Sequence, residues 1–123
     1  MRLFIAVFLM LFLTGCEDEE SFDFSKLGQQ KFSSASWKSS SQEQRGKMLS
    51  SLLSSHAFKG MRKQDVIDLL GKSTAYYEYD EFPAYFVGSK NVQSQYGSGY
   101  LLAFPIDRDT GLIREVVFDP EPQ

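Results

Sequence analysis

Apolar residues recur along the chain at two different spacings, and the spacing changes near residue 73. Between residues 41 and 72 they recur every three or four positions, which is the period of an amphipathic helix. This pattern predicts a first helix over residues 41–55 and a second, shorter helix over Lys63–Leu70, with Gly71 as the residue that ends it. The apolar positions of the two helices are Met48, Leu49, Leu52 and Leu53, followed by Val66, Ile67, Leu69 and Leu70.

Beyond residue 81 the period changes to two, which is the period of a β-strand, as at Tyr100, Leu102, Phe104 and Ile106. Residues 82–88, 100–106 and 112–118 are predicted as three strands, with a turn at residues 107–111 between the last two. Pro105 cannot donate a ladder hydrogen bond, so we place it at the hairpin end or at a bulge.

Residues 73–81 form either a fourth strand, through Tyr77 and Tyr79, or an acidic loop. Together the elements predict an α+β fold in which two helices pack on a three- or four-stranded antiparallel sheet. With 123 residues the chain has room for one small domain, which we place at residues 41–119. Residues 120–123 are expected to form a C-terminal tail outside the sheet.

The first sixteen residues are unlike the rest of the chain. Arg2 supplies a positive charge and residues 3–13 are an uninterrupted apolar run, and both features are typical of a bacterial export signal. Such a run would span about 16 Å as a helix, roughly half of the hydrocarbon thickness of a bilayer, so a permanent transmembrane helix is not expected. Residues 1–15 are therefore predicted to be a signal peptide that is removed.

The single cysteine, Cys16, lies where the apolar run gives way to four acidic residues. The sequence Leu13-Thr14-Gly15-Cys16 resembles the lipobox of bacterial lipoproteins, in which the cysteine carries the lipid and becomes the amino terminus after cleavage. The resemblance implies lipidation at Cys16. Residues 16–40, acidic at first and then rich in serine, are predicted to be a flexible tether. Within it, Phe32 and Trp37 are expected to pack onto the domain, the alternative being contact with a partner or the bilayer surface.

Charge is distributed unevenly along the chain, whose net charge is −3. Residues 26–72 hold nine bases and three acids, whereas residues 73–123 hold three bases and eight acids. An exported chain with a negative net charge is not expected to bind nucleic acid. Anionic lipid headgroups or an acidic protein surface suit its basic part better.

Few side chains offer catalytic or metal-binding chemistry. His56 is the only histidine and lies at the end of the first predicted helix, where a core position or an interaction with the helix dipole is expected. The acids Glu78, Asp80 and Glu81 lack the spacing of a calcium-binding loop. We therefore expect no catalytic residues, no cofactor and no metal site.

All six tyrosines lie between residues 76 and 100. Half of them are expected in the core or in cross-strand pairs, and the others on an exposed aromatic surface, where protein contacts gain much of their binding energy. The candidate binding residues are Tyr79, Tyr85, Tyr96 and Tyr100. The alternative is a cleft for a small ligand or for catalysis, lined by Tyr79, Tyr85 and His56.

The sequence Phe-Lys-Gly-Met-Arg-Lys-Gln-Asp-Val-Ile-Asp-Leu-Leu-Gly at residues 58–71 resembles the opening of the SmpA/OmlA (BamE-like) family of small outer-membrane lipoproteins. In that family a Gly-Met pair, here Gly60 and Met61, starts a short helix that a glycine ends before the strands. Arg62 stands where the family usually has Thr or Ser. The likeness covers residues 58–118, and the implied scaffold is also similar to the repeated unit of beta-lactamase inhibitor proteins.

These features predict a lipid-anchored periplasmic protein–protein interaction module of the bacterial cell envelope. Its expected partners are the membrane, through the lipid anchor, and another envelope protein, and its expected role is accessory to outer-membrane assembly or maintenance. The resemblance implies the periplasmic face of the outer membrane, with the inner membrane as the alternative, because Glu17 and not aspartate follows the cysteine. The alternatives in function are the ligand or enzyme cleft and a proteinaceous enzyme inhibitor with a protruding loop at residues 89–99.

Overall fold

The computed structural model describes residues 23–120 and shows an α+β fold. Two main helical regions accompany a three-stranded antiparallel sheet and a separate two-stranded hairpin, so the predicted α+β class with a three-stranded antiparallel sheet is confirmed. A 3₁₀ helix at Phe24–Leu27 is followed by the helices α1 Ser34–Ser39, α2 Gln42–Lys47, α3 Leu49–Ser55 and α4 Lys63–Leu70. The strands are β1 Ala84–Val87, β2 Gln93–Ser94, β3 Gly97–Ser98, β4 Tyr100–Ala103 and β5 Val117–Asp119.

The first predicted helix, over residues 41–55, is two helices and not one. α2 begins after Ser41, whose hydroxyl accepts a hydrogen bond from the Gln44 N–H at 3.3 Å. The break lies at Met48, which ends α2 and precedes α3 with φ −95° and ψ −4°. Hydrophobic spacing could not predict this break, because the same apolar side chains serve one long helix or two short ones.

The second predicted helix is confirmed at both ends as α4. No hydroxyl side chain precedes it, and the Asp65 carboxylate instead accepts the Arg62 N–H at 3.1 Å. The Arg62 guanidinium bonds to the same carboxylate at 2.9 Å, and these hydrogen bonds lower the pKa of Asp65. Gly71 follows the helix with φ 83°, a conformation that favours glycine.

The three-stranded sheet has the order β1-β4-β5, and both strand pairs are antiparallel. Tyr85 of β1 lies opposite Leu102 of β4, which lies opposite Phe118 of β5. The strands are shorter than predicted. After β4, pairing resumes as an isolated bridge between Ile106 and Ile113, so the predicted hairpin of residues 100–118 is present with irregular backbone near its turn.

Residues 73–81 form the loop alternative and not a fourth strand. Tyr77 and Tyr79 make an isolated bridge across Glu78, whose φ of 60° turns the chain sharply. The loop is tied to the edge of β1, because the Thr74 N–H donates to the carbonyl of the first β1 residue at 2.9 Å. This edge of the sheet is therefore covered by the chain itself.

One face of the sheet packs against the helices and forms the main core. The strands contribute alternate positions, as their period of two requires. From the sheet these are Tyr85, Val87, Tyr100 and Leu102, and from the helices Trp37, Met48, Leu49, Leu52, Val66 and Leu70. All of these side chains are buried.

The opposite face of the sheet is also covered, so every residue of β4 is buried. A second apolar cluster on this face consists of Ala84, Leu101 and Ala103. Tyr77 from the loop and Tyr96 from the β2–β3 hairpin pack against it. The hairpin lies close to the sheet: a Cβ added at Gly97 would be 2.7 Å from the Phe86 ring. The segment 89–99 is thus held against the domain.

The segment predicted as a tether, residues 16–40, is folded from Asp23 onward. Trp37 in α1 has no exposed surface, and Phe24 packs edge to face with Phe118 of β5 at a centroid distance of 5.0 Å. The expected packing of Phe32 and Trp37 onto the domain is confirmed. The described fold therefore includes residues 23–40, which lie before the predicted domain boundary at residue 41.

The serines of this segment suggested flexibility, but their hydroxyls make specific hydrogen bonds. Ser33 accepts the Ser36 N–H at 3.1 Å and so caps α1. Ser34 donates to the Leu69 carbonyl at 2.6 Å, which joins the start of α1 to the end of α4. Composition alone cannot separate a serine that caps a helix from a serine in a flexible linker. The predicted signal peptide, the first residues of the tether and residues 121–123 lie outside the described residues.

Candidate functional site

Of the predicted site residues, Cys16 lies outside the residues that the structure describes. Tyr85 has no exposed surface, and its hydroxyl donates to the Gly71 carbonyl at 2.7 Å. Burial raises the pKa of this phenol, so Tyr85 stays a neutral hydrogen-bond donor at physiological pH. It joins the end of α4 to the sheet and is not accessible to a partner.

Tyr100 is also a core residue, with 8% of its surface exposed. Its ring stacks on Phe118 with a centroid distance of 5.1 Å and an interplanar angle of 19°. It also packs closely on Gly88, where an added Cβ would lie 2.8 Å from the ring. Two of the four candidate binding tyrosines, Tyr85 and Tyr100, are thus buried in the core and do not lie on an exposed aromatic surface.

Tyr76 and Tyr79 are half exposed, at 55% and 46%, and lie on either side of the sharp turn at Glu78. The turn is closed by hydrogen bonds: the Tyr79 N–H donates to the Tyr77 carbonyl at 2.6 Å, and the Tyr76 hydroxyl to the Glu78 carbonyl at 2.5 Å. A turn fixed in this way presents two aromatic rings to solvent with little conformational freedom left to lose on binding.

Tyr77 and Tyr96 connect this turn to the β2–β3 hairpin. Their rings meet edge to face at a centroid distance of 5.5 Å. Burial raises the pKa of both phenols, and the Glu78 carboxylate raises both further. We call the surface formed by Tyr76, Tyr77, Tyr79 and Tyr96 the tyrosine face.

The tyrosine face is bordered by carboxylates and by one arginine. The Arg108 guanidinium lies over the Tyr79 ring, 4.3 Å from its centroid, and 3.8 Å from the Glu81 carboxylate. Glu115 contributes to the raised pKa of Tyr77, and Asp119 to that of Tyr96. The face therefore combines exposed aromatic rings with negative charge, and one guanidinium already lies on it.

His56 does not share a cleft with the candidate tyrosines. Its ring packs edge to face with Phe32 at 5.5 Å and lies 6.0 Å from the Phe58 ring, and its Nδ1 lies 3.0 Å from the Ser55 hydroxyl. The ring contacts of Tyr79 are with Phe82 and Arg108. Because Tyr85 is fully buried, the cleft considered as an alternative, lined by Tyr79, Tyr85 and His56, is not formed.

An open cavity of about 420 Å³ lies between the 3₁₀ helix, α2 and the loop that follows β1. It is lined by Lys26, Leu27, Glu43, Gly46, Lys47, Gly88, Ser89, Val92 and Tyr100. Sequence reasoning did not predict it, because its walls come from four segments: the 3₁₀ helix, α2, the loop after β1, and β4. Gly46 was a local signal, since a glycine inside a helical pattern often has a packing reason.

The residues between 23 and 120 show no grouping of three or more His, Cys, Asp or Glu side chains that could hold a metal ion. In the same part of the chain, no helix has the length and apolar character needed to cross a membrane.

Comparison with known proteins returns no match: no family model, no curated protein and no solved structure is similar to this chain. The likeness of residues 58–118 to the SmpA/OmlA family therefore stays a prediction.

Proposed function

We propose that this chain is a lipid-anchored periplasmic interaction module of the bacterial cell envelope, and that it binds another envelope protein through the tyrosine face. The observation that carries the proposal is the pair of half-exposed rings, Tyr76 and Tyr79, on a hydrogen-bonded turn. Tyrosine is enriched among the residues that supply most of the energy of protein–protein contacts. Neighbouring exposed aromatic rings on a small domain favour an interaction site.

The charge of the tyrosine face favours a partner surface that carries arginine or lysine. The Glu78 carboxylate raises the pKa of Tyr77, and the Glu81 carboxylate lies 3.8 Å from the Arg108 guanidinium that covers the Tyr79 ring. Arg108 already makes interactions of this kind within the chain, because its guanidinium lies over a tyrosine ring and beside a carboxylate. A cation placed over an aromatic ring gains about 0.5–1 kcal/mol at an exposed site and more when water is excluded.

The proposed lipid anchor explains how such a module would meet an envelope partner. Cys16 ends the sequence Leu13-Thr14-Gly15-Cys16, directly after an apolar run. Each buried acyl methylene contributes about 0.8 kcal/mol, so several acyl chains hold a protein at a bilayer without a transmembrane helix. We place the module at the periplasmic face of the outer membrane, as an accessory to outer-membrane assembly or maintenance.

Replacing Cys16 with alanine is expected to move the protein from the membrane fraction to the soluble periplasmic fraction, because the thiol that carries the lipid is lost. The measurement is fractionation of the envelope, together with mass spectrometry of the mature amino terminus. A Ser21→Ala variant, which keeps the thiol, is the matched control and should stay with the membrane. Native protein with an unmodified amino terminus would contradict the anchor.

Photo-crosslinking from the tyrosine face tests the binding proposal. A photoreactive phenylalanine analogue at position 76 or 79 is expected to give a discrete protein adduct in intact envelopes, because these rings are exposed. The same analogue at Gln64, an exposed position on α4, is the matched control and should give no such adduct. The adduct from position 76 should weaken in a Tyr79→Ala background. Equal adducts from positions 76 and 64 would contradict a specific face.

A further inference from the structure

We propose that the cavity beside α2 binds a small zwitterion with an apolar side group, either a free amino acid or the end of a short peptide. The cavity has a volume of about 420 Å³, within the range of small-molecule sites. It lies between the 3₁₀ helix, α2 and the loop after β1, and none of the four tyrosines of the tyrosine face lines it. The inference is thus independent of the proposed partner surface.

The apolar side of the cavity is formed by Leu27, Val92 and the ring of Tyr100. The Tyr100 ring is fixed in position, because Phe118 stacks on it and Gly88 leaves no space beside it. Val92 is fixed through its backbone, since its carbonyl accepts the Gly99 N–H at 2.7 Å. An apolar side group of a ligand would meet a wall that is already formed.

The backbone around the cavity is held by Gln42, the first residue of α2. Its carbonyl accepts the Gly88 N–H at 2.8 Å, and its side-chain amide donates to the Gly88 and Ser98 carbonyls, each at 3.1 Å. Lys47 is held in a similar way, because its carbonyl accepts the Gln30 N–H at 3.0 Å. A preformed site of this kind requires little ordering when a ligand binds.

The charged groups of the lining select the class of ligand. The lining includes two basic residues, Lys26 and Lys47, and one acidic residue, Glu43, and all three are exposed to solvent. Among the described residues, no ion pair within 4.0 Å joins Glu43 to either lysine. Glu43 would repel a simple anion, and the lysines would repel a simple cation. A ligand with one carboxylate and one ammonium group places each charge beside its opposite.

Titration of the purified full-length protein with matched probes tests the assignment, with binding followed by calorimetry and by the NMR shifts of the Gly88 and Ser89 amides. Leucine or alanyl-leucine is expected to bind saturably, the first as a free amino acid and the second as a peptide end. N-acetyl-leucine lacks the ammonium group and leucinamide lacks the carboxylate. Each is expected to bind about tenfold more weakly, as is glycine, which lacks the side group.

Substitutions test the acidic and the basic residues of the lining separately. Glu43→Gln is expected to weaken leucine binding about tenfold and to leave N-acetyl-leucine binding unchanged, because that probe has no ammonium group to lose a partner. The double variant Lys26→Gln and Lys47→Gln should weaken the binding of both leucine and N-acetyl-leucine. The matched control is Lys59→Gln with Lys63→Gln, two exposed lysines outside the lining, and it should change neither affinity. All of these positions are exposed, so the fold should persist, which thermal melting checks.

Three results would overturn the assignment. The first is the absence of saturable binding by leucine and by alanyl-leucine up to about 10 mM, where even a weak site should fill. The second is equal affinity for leucine and its two blocked derivatives, since the charged groups of the ligand would then not contribute to binding. The third is equal loss of binding in the control lysine variant, which would indicate general surface charge and not the cavity.

Discussion

Replacing Trp37 with alanine is expected to lower the free energy of unfolding by about 3–5 kcal/mol, the cost of truncating a large aromatic residue in a core. The Trp37 side chain has no exposed surface. Its ring packs edge to face with Phe32 at 6.0 Å and with Tyr85 at 6.2 Å, and the Arg45 guanidinium lies 5.1 Å from its centroid. The measurement is urea unfolding followed by far-ultraviolet circular dichroism, because the substitution removes the only tryptophan.

Trp37→Phe is the informative companion variant. Within the described part of the chain, the Trp37 indole N–H is a buried donor without a hydrogen-bond partner, and a buried unpaired donor costs about 1–3 kcal/mol. Phenylalanine fills less of the space but removes the unpaired donor, so the two effects partly offset each other. The free energy of unfolding is expected to fall by at most about 1–2 kcal/mol. Ser36→Ala, at a neighbouring position in α1, controls for general effects on that helix. A loss below about 1 kcal/mol for Trp37→Ala would contradict the packing of residues 23–40 onto the domain.

The parts of the fold that could be predicted from the sequence are those that local periodicity determines. α4 was predicted with its bounds, because four apolar positions lie on one face between the turn at Gly60 and the stop at Gly71. The strand at residues 100–106 was predicted because Tyr100, Leu102 and Phe104 recur at every second position. Local pattern could not show that the first helix breaks at Met48, because the break coincides with a contact between α2 and the end of β1.

The sequence alone could not distinguish the exposed tyrosines from those in the core. Period-two alternation assigns strand residues to two faces, but both faces of this sheet are covered. Tyr85 and Tyr100 are on the helix side, whereas Tyr77 and Tyr96 cover the other side. Which tyrosines are exposed depends on the turn at Glu78, where a non-glycine residue adopts a positive φ. Composition gives no indication of such a turn.

The folded amino-terminal segment changes the geometry expected of the anchor. A tether running to residue 40 would let the domain move far from a bilayer. Asp23 follows Cys16 by seven Cα–Cα steps, so a lipid on Cys16 would hold Asp23 within about 25 Å of its attachment point. The amino-terminal end of the described fold would then lie close to the membrane surface.

Replacing Gly46 with alanine is expected to destabilise the protein by about 1–3 kcal/mol, although helix propensity alone predicts the opposite sign. Alanine is favoured over glycine in a helix by about 1 kcal/mol. An added Cβ at Gly46, however, would lie 2.7 Å from the Gly88 Cα and 2.9 Å from its nitrogen, and these are backbone atoms that cannot rotate away. Gly88 is itself held by Gln42 on both sides, so the strand end cannot retreat without breaking hydrogen bonds.

The sign of the Gly46→Ala effect decides whether this close approach exists in solution. Gln44→Ala, an exposed substitution in the same helix, reports the propensity effect without the contact and is expected to change stability by no more than about 0.5 kcal/mol. Urea unfolding of both variants is the measurement. Because Gly46 and Gly88 also line the cavity, the clash should displace its wall and weaken leucine binding in the same variant. A stabilised Gly46→Ala protein would show that α2 and the end of β1 do not touch, and the cavity between them would lose its basis.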